Sequence, residues 1–176
     1  IRDVSLISKI EESPEKLVRQ RVNLKEIVDE VSSEFSDRLS ERSDVMENAL
    51  PSDLEIYGNK TLLHAVFRNL VENSLKYAGD GVSIHVECRD ELSGDRRQDG
   101  KFLHLSYYDT GCGVPPQHLS RLFERFYRIS EGRTRDDGGS GLGLSIVRNA
   151  IAFHGGEIRV FNREPHGLQF FFTLRK

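Results

Sequence analysis

The 176-residue chain contains no tryptophan, two cysteines and five prolines, and it carries no excess of basic charge. Each shortage excludes a class. Cys88 and Cys112 stand 24 positions apart with no CxxC pair, so neither a disulfide scaffold nor a zinc ribbon is indicated, and free thiols in a reducing compartment are expected. The longest unbroken apolar run is four residues, Ala150 to Phe153, far short of the roughly 20 that cross a bilayer. With 25 Lys and Arg against 28 Asp and Glu the net charge is −3, which argues against nucleic acid held by overall charge. No internal repeat and no signal-peptide pattern is present, and the chain opens on Ile1 rather than Met, as an excised piece would.

What is there suits one domain. At about 150 residues per domain the length gives one unit with a short appendage. Such a chain buries roughly 70% of its unfolded surface without staples. Ten phenylalanines, five tyrosines and 37% apolar residues supply the core.

Hydrophobic spacing orders the elements. Val4, Ile7 and Ile10 mark an amphipathic helix over residues 1–12, ended by Ser13-Pro14. A strand is expected over Leu17–Val22. Asn23 and Glu26 then form a capping box for a helix whose apolar stripe runs from Leu24 to Leu39. A turn at Pro51 and a strand at Leu54–Tyr57 precede a long helix from Asn59 to Tyr77. Alternation predicts strands at Val82–Cys88 and Phe102–Asp109, joined by a loop with six charges in eleven residues. One short helix is expected around Pro116–Phe126, another helix over Gly143–Phe153, and a closing hairpin from Glu157–Phe161 and Leu168–Leu174. Four or five mostly antiparallel strands with three helices to cover one face make an α+β fold, a two-layer α/β sandwich.

Four short stretches carry chemistry. Asn69 and Asn73 lie one helical turn apart on one face, and amide oxygens can complete the shell of a hard divalent cation. Lys76, a turn further on, can meet a phosphate as a point charge. Solvent-facing or loop-bonded asparagines would look the same. In Asp109-Thr-Gly-Cys-Gly113 a strand-end aspartate beside two glycines allows the backbone to approach a flat ligand, with the carboxylate accepting from an exocyclic amine. An ordinary Asx turn is the plainer alternative. Gly138-Gly-Ser-Gly-Leu-Gly-Leu144 opens a helix, where free N–H groups and the helix dipole favour phosphate. It lacks the Lys-Ser/Thr ending of a P-loop, and a linker would not run straight into Leu142, Leu144, Ile146 and Val147. Between them, residues 121–135 hold five arginines against two glutamates, a local +3 beside the glycine-rich loop.

The order and spacing of these blocks are specific. Asn-Leu-x-x-Asn-x-x-Lys-Tyr, Asp-x-Gly-x-Gly, Phe-x-Arg-Phe-Tyr-Arg and Gly-x-Gly-Leu-Gly-Leu together resemble the catalytic, ATP-binding domain of bacterial sensor histidine kinases over roughly residues 20–175. The resemblance implies the Bergerat ATP-binding sandwich shared with gyrase, the Hsp90 chaperones and MutL. It implies Asn73 as the magnesium ligand, Asn69 beside the phosphates, and Lys76 and Tyr77 as phosphate-contacting and nucleotide-packing residues. Asp109 would anchor adenine with Gly111 and Gly113. Phe123 and Phe126 would anchor a lid over about 115–141, and Arg128 would meet the terminal phosphate. Gly139, Gly141 and Gly143, with Leu142 and Leu144, would form the hinge and the phosphate-binding turn. The cofactors implied are ATP and Mg2+.

In gyrase-type relatives a glutamate four before the metal asparagine activates water. Here that position is Asn69, which favours phosphoryl transfer over hydrolysis. Residues 1–16 resemble the end of a dimerisation helix and its linker, and 17–176 the kinase domain. None of the six histidines fits the phosphoacceptor context. The partners implied are a histidine-bearing dimerisation domain of the same protein and a response regulator. The location implied is the cytoplasmic side of a parent protein anchored in the bacterial inner membrane. A non-catalytic nucleotide-binding module and a hydrolytic ATPase of the same superfamily are the alternatives.

Overall fold

A computed structural model describes residues 2–89, 100–129 and 141–176. Helix α1 (Arg2–Glu12) leads into strand β1 (Gln20–Asn23), helices α2 (Leu24–Glu34) and α3 (Ser36–Glu41), and strands β2 (Val45–Asn48) and β3 (Glu55–Gly58). Helix α4 (Lys60–Tyr77), strands β4 (Ser83–Cys88) and β5 (Phe102–Asp109), and the short helix α5 (Pro116–Leu119) follow. Helix α6 (Gly143–Phe153) and the hairpin β6 (Ile158–Asn162) and β7 (Leu168–Arg175) close the chain. Among the described residues none of the helices is long and apolar enough to cross a membrane.

The two-layer sandwich is as expected. A five-stranded sheet of order β2-β4-β5-β7-β6 is antiparallel except for the parallel β2–β4 pair. One of its faces buries Ile84, Val86, Leu103, Leu105, Tyr107, Phe170, Phe172 and Leu174 against the helices. Helix α4 is caught in the middle, with Leu62, Leu63, Val66, Phe67, Leu70 and Val71 all at most 1% exposed. Burying one such side chain is worth about 1.5–3 kcal/mol, so this stripe fixes where α4 lies.

Four expectations need correction. The helix foreseen from Leu24 to Leu39 breaks at Phe35 (φ −98°, ψ 5°), where weak helix formers Ser32, Ser33 and Ser36 surround it. The break leaves both Phe35 and Leu39 buried. Strand β2 was not foreseen, because it is an edge strand with no fully buried position and so no alternation to read. Strands β1 and β3 pair with each other in a separate ribbon rather than joining the main sheet, so seven strands are seen among the described residues, not four or five. The helix expected to Phe126 stops at Leu119, and turns continue to Phe126, which sits at φ 64°. The charged loop between β4 and β5 and the lid stretch 130–140 lie outside the described residues.

The packing of α6 against the start of α4 is locked by one buried histidine. His154 donates from Nδ1 to the Ala150 carbonyl (2.7 Å) and accepts at Nε2 from the Asn59 N–H (3.0 Å), an arrangement for neutral imidazole. Gly58 is required beside it, because a Cβ there would come within 2.7 Å of the ring. Burial pushes the His154 pKa below the ordinary 6.5, with Arg19 adding to the effect against the Ala150 hydrogen bond. The unfolded chain therefore takes up this proton more readily than the folded one. The stability contributed by neutral His154 is complete above about pH 6.5 and is lost as pH falls toward the lowered folded value. We expect His154→Gln to flatten that acid limb in urea unfolding between pH 8 and 5, and His154→Ala to cost about 2–4 kcal/mol at pH 8. An acid limb equal to wild type in His154→Gln would assign the effect to other groups.

Candidate nucleotide-binding site

Three structural ends meet at one corner of the sandwich: the last turns of α4, the loop leaving β5, and the first turn of α6. Helix α4 ends here because Gly79 and Gly81 both take positive φ (92° and 69°). The turn is held by Arg42, which donates to the Gly79 carbonyl and pairs with Asp80 (both 3.1 Å) and with buried Asp44 (3.2 Å). Asp44 in turn accepts from the Val82 N–H at 2.9 Å. This clamp has no recognisable sequence pattern, since its members come from separate parts of the chain.

Asp109 is the centre of the corner. It is 2% exposed, and its carboxylate accepts from the Gly111 N–H (3.0 Å) and the Leu168 N–H (3.3 Å) on Oδ1 and from Ser74 Oγ (2.8 Å) on Oδ2. A carboxylate removed from water needs such donors, and here a loop, a strand and a helix each give one. Ser74 also lies 2.8 Å from the Tyr107 hydroxyl, which donates to the Leu70 carbonyl at 3.0 Å. The sequence reading singled out neither Ser74 nor Tyr107. A hydroxyl among the apolar positions of α4 is the signal that could have found Ser74, whereas Tyr107 reads as an ordinary inward position of β5.

Gly111 is required by contact, because a Cβ there would fall 2.4 Å from the Ala78 Cβ. Gly113 adopts φ 71°, and next to it Asn162 bonds both the N–H and the carbonyl of Val114 (2.8 and 2.6 Å). The β6–β7 turn presses on the same loop. His166 Nδ1 lies 2.8 Å from the Thr110 carbonyl, and a Cβ on Gly167 would fall 2.0 Å from the Asp109 carbonyl oxygen.

Asn69 is buried, and its Nδ2 donates to the Ala65 carbonyl (2.7 Å), which turns Oδ1 toward Gly143. A Cβ on Gly143 would lie 3.0 Å from that oxygen. Helix α6 starts at Gly143 with Leu142 as its N-cap residue, which offers no side-chain cap, and the N–H groups of a helix's first turn favour an anion. Leu142 is buried and Leu144 half-buried. Asn73 and Tyr77 are half-buried, and Lys76 is exposed with its ammonium 3.7 Å from Glu72. The Cys112 thiol reaches the Tyr77 carbonyl at 3.1 Å.

The two phenylalanines expected to anchor a lid part company. Phe123 meets Phe170 edge-on (6.2 Å between ring centres), which itself meets Tyr107. The Phe126 ring does not bury aromatic area as expected: it is 68% exposed. What holds at this position is the backbone. The Phe126 N–H donates to the Gly141 carbonyl (2.8 Å), and Gly141 (φ 72°) has no room for a Cβ against Phe126 Cα. Residues 126 and 141 thus form a neck that holds the two ends of the segment between them together. Arg128 is exposed, and among the described residues no hydrogen bond or ion pair joins it to the corner; Gly139 lies outside the described residues.

Comparison with known proteins agrees with this geometry. Residues 58–176 match the family of histidine kinase-, DNA gyrase B- and HSP90-like ATPases. The chain belongs to that family. It is 32% identical over 158 residues to the signal transduction histidine-protein kinase BaeS of Escherichia coli K12, covering 90% of this chain and 32% of BaeS. The mycobacterial sensor histidine kinase MprB superposes with a TM-score of 0.72 at 27% identity, over 89% of this chain and 97% of that one. Histidine kinase ThkA, solved in complex with the response regulator protein TrrA, superposes at 0.69 with 25% identity, over 99% of this chain and 47% of that one. The chain spans about a third of the length of the curated relatives it matches.

Glycine substitutions test the corner's tightness. Gly111→Ala must move the loop or α4 backbone and should cost about 1–3 kcal/mol. Gly143→Ala meets only a side-chain oxygen at 3.0 Å and should cost less. Chemical denaturation that reverses this order would mean that the β5 loop is not seated on Ala78.

Proposed function

We propose that this chain is the ATP-holding catalytic part of a sensor histidine kinase, which presents the γ-phosphoryl group of ATP to a histidine on a helical dimerisation domain of the same protein. The observation that carries the reading is Asp109: a buried carboxylate with three protein donors, set where α4, the glycine loop and the start of α6 converge. Such a group is an acceptor fixed in place, suited to the exocyclic amine of adenine. Gly111 lets the base approach the backbone, and Tyr77 and Gly113 flank it.

The polar edge of α4 then lies along the phosphates. Asn73 would supply an amide oxygen to magnesium, with Asn69 beside it and Lys76 as a charge toward the chain of phosphates. The N–H groups in the first turn of α6, which carries no side-chain cap, suit an anion, and the half-buried amide of Asn73 suits a hard cation, so the donor set fits magnesium-ATP. Magnesium, when bound, neutralises charge on the β- and γ-oxygens. Arg128 would bring the charge that a loose phosphoryl-transfer transition state rewards, because such catalysis is mostly positioning and electrostatics. Asn69 cannot take a proton from water as a carboxylate can, so transfer to a protein nucleophile is favoured over hydrolysis.

Helix α1 belongs in this reading as the end of the dimerisation helix, with the kinase domain starting near residue 17. Its Ile7 packs among Ala65, Leu142 and Ile146, Asp3 pairs with Arg68 (3.7 Å), and Glu11 pairs with Arg125. A response regulator would receive the phosphoryl group in turn, and the parent protein would hold this domain at the cytoplasmic face of a bacterial membrane.

Two measurements test the reading. Calorimetry with magnesium-ATP should show binding reduced at least about tenfold in Asp109→Asn, which turns an acceptor partly into a donor, and weakened in Asn73→Asp. Wild-type affinity in both would sink the site. With γ-labelled ATP, a separately supplied phosphoacceptor helical domain should become labelled in a single turnover while this chain does not. Release of free phosphate without a labelled acceptor would favour the hydrolytic alternative, and tight ATP binding with neither outcome a regulatory module.

A further inference from the structure

The hydroxyl pair beneath Asp109 has a definite proton arrangement. Three oxygen–oxygen contacts link Asp109 Oδ2 to Ser74 Oγ (2.8 Å), Ser74 Oγ to the Tyr107 hydroxyl (2.8 Å), and the Tyr107 hydroxyl to the Leu70 carbonyl (3.0 Å). Only two hydroxyl protons serve them. An ionised carboxylate accepts and cannot donate, so the Ser74 proton belongs to Asp109. The Ser74–Tyr107 contact then requires the Tyr107 proton to point at Ser74 Oγ, shared with the Leu70 carbonyl. The opposite choice sets two lone pairs face to face at 2.8 Å.

Tyr107 is fully buried and Ser74 is 1% exposed, so water does not compete for either hydroxyl. Burial, the largest influence, raises the Tyr107 pKa well above its usual value, against the Ser74 hydrogen bond and together with the Asp109 charge, so the phenol stays a donor. Hydrogen bonds in series polarise one another, and each link strengthens the next.

Resting on the reading of Asp109 as the base anchor, we propose that Ser74 and Tyr107 are positioning residues that set nucleotide specificity: a Tyr107→Ser74→Asp109 relay makes the carboxylate an acceptor for one N–H, and so selects a 6-aminopurine over a 6-oxopurine. A carboxylate offers about four lone-pair positions. Gly111, Leu168 and Ser74 fill three among the described residues, and the fourth, on Oδ2, accepts a single exocyclic amine hydrogen. A 6-oxopurine would bring its own lone pairs to that oxygen. Without the Ser74 hydroxyl, Oδ2 is free to turn or to take a water molecule, which donates as readily as it accepts and so can bridge to an oxo group.

The test is titration of the 176-residue chain with magnesium-ATP and magnesium-inosine triphosphate, for wild type, Ser74→Ala, Tyr107→Phe, the double variant and Asp109→Asn, each with a thermal melt. The relay predicts that Ser74→Ala loses about tenfold in ATP affinity but little in inosine triphosphate affinity, so the ratio between them collapses. Tyr107→Phe should lower the ratio by a smaller factor. The double variant should match Ser74→Ala alone, because Tyr107 acts through Ser74. Equal loss for both nucleotides, or no loss, while Asp109→Asn still weakens ATP, would reduce the pair to packing and overturn the relay alone. ATP affinity unchanged in Asp109→Asn would overturn the base-anchor reading and the relay with it. If Ser74→Ala does not fold, the Tyr107→Phe ratio decides, and a wild-type ratio there overturns the proposal.

Discussion

A charge taken out of water constrains this molecule more than any other single feature. Asp109 ends the strand β5 at a place where solvent is nearly absent, and an isolated carboxylate there would cost several kcal/mol. Three donors offset that cost, and each is supplied by a different element: Gly111 by the loop, Leu168 by the start of β7, Ser74 by α4. The helix layer and the sheet must therefore keep their register, or the carboxylate loses its partners. The apolar stripe of α4 holds that register from below, and His154 holds the start of α4 to the end of α6 from the other side.

Tight backbone approaches serve the same end. Gly111 and Gly167 each stand at the corner where a Cβ would come within 2.4 Å of a neighbour, and Gly58 does the same, at 2.7 Å, beside His154 at the other end of α4. Residues of larger size would push the β5 loop off Ala78 or the β6–β7 turn off Asp109. The site is thus built mainly of backbone held close, with a few polar side chains aimed into it. That suits phosphoryl chemistry, in which placement and charge do most of what a protein can do.

Helix α1 meets this apparatus at several points: Arg68 next to Asn69, Leu142 at the mouth of α6, and Arg125 beside the Phe126–Gly141 neck. Its surface ion pairs are individually weak, and Ile7 is its one well-buried apolar residue among those described. Leu6 and Ile10 add partly buried contacts to it, so α1 covers the sandwich with a smaller apolar face than α4 does.

Local rules made much of this legible in the sequence. The long helix from Asn59, the strand Phe102–Asp109 and the helix from Gly143 follow from caps, alternation and glycine punctuation, all of which act within a few residues. The order of the asparagine, aspartate–glycine, phenylalanine–arginine and glycine-rich blocks pointed to the family and to Asp109. Edge pairing, the β1–β3 ribbon, the break at Phe35 and the exposure of the Phe126 ring were decided only by the folded structure. An edge strand buries too little to leave a pattern, and a ring's exposure depends on what the rest of the chain brings over it. Tyr107 and Asp109 lie two residues apart on β5, whereas Ser74 is hidden among apolar neighbours on α4, 33 and 35 positions away. Long-range packing alone brings the Ser74 hydroxyl within hydrogen-bonding distance of both.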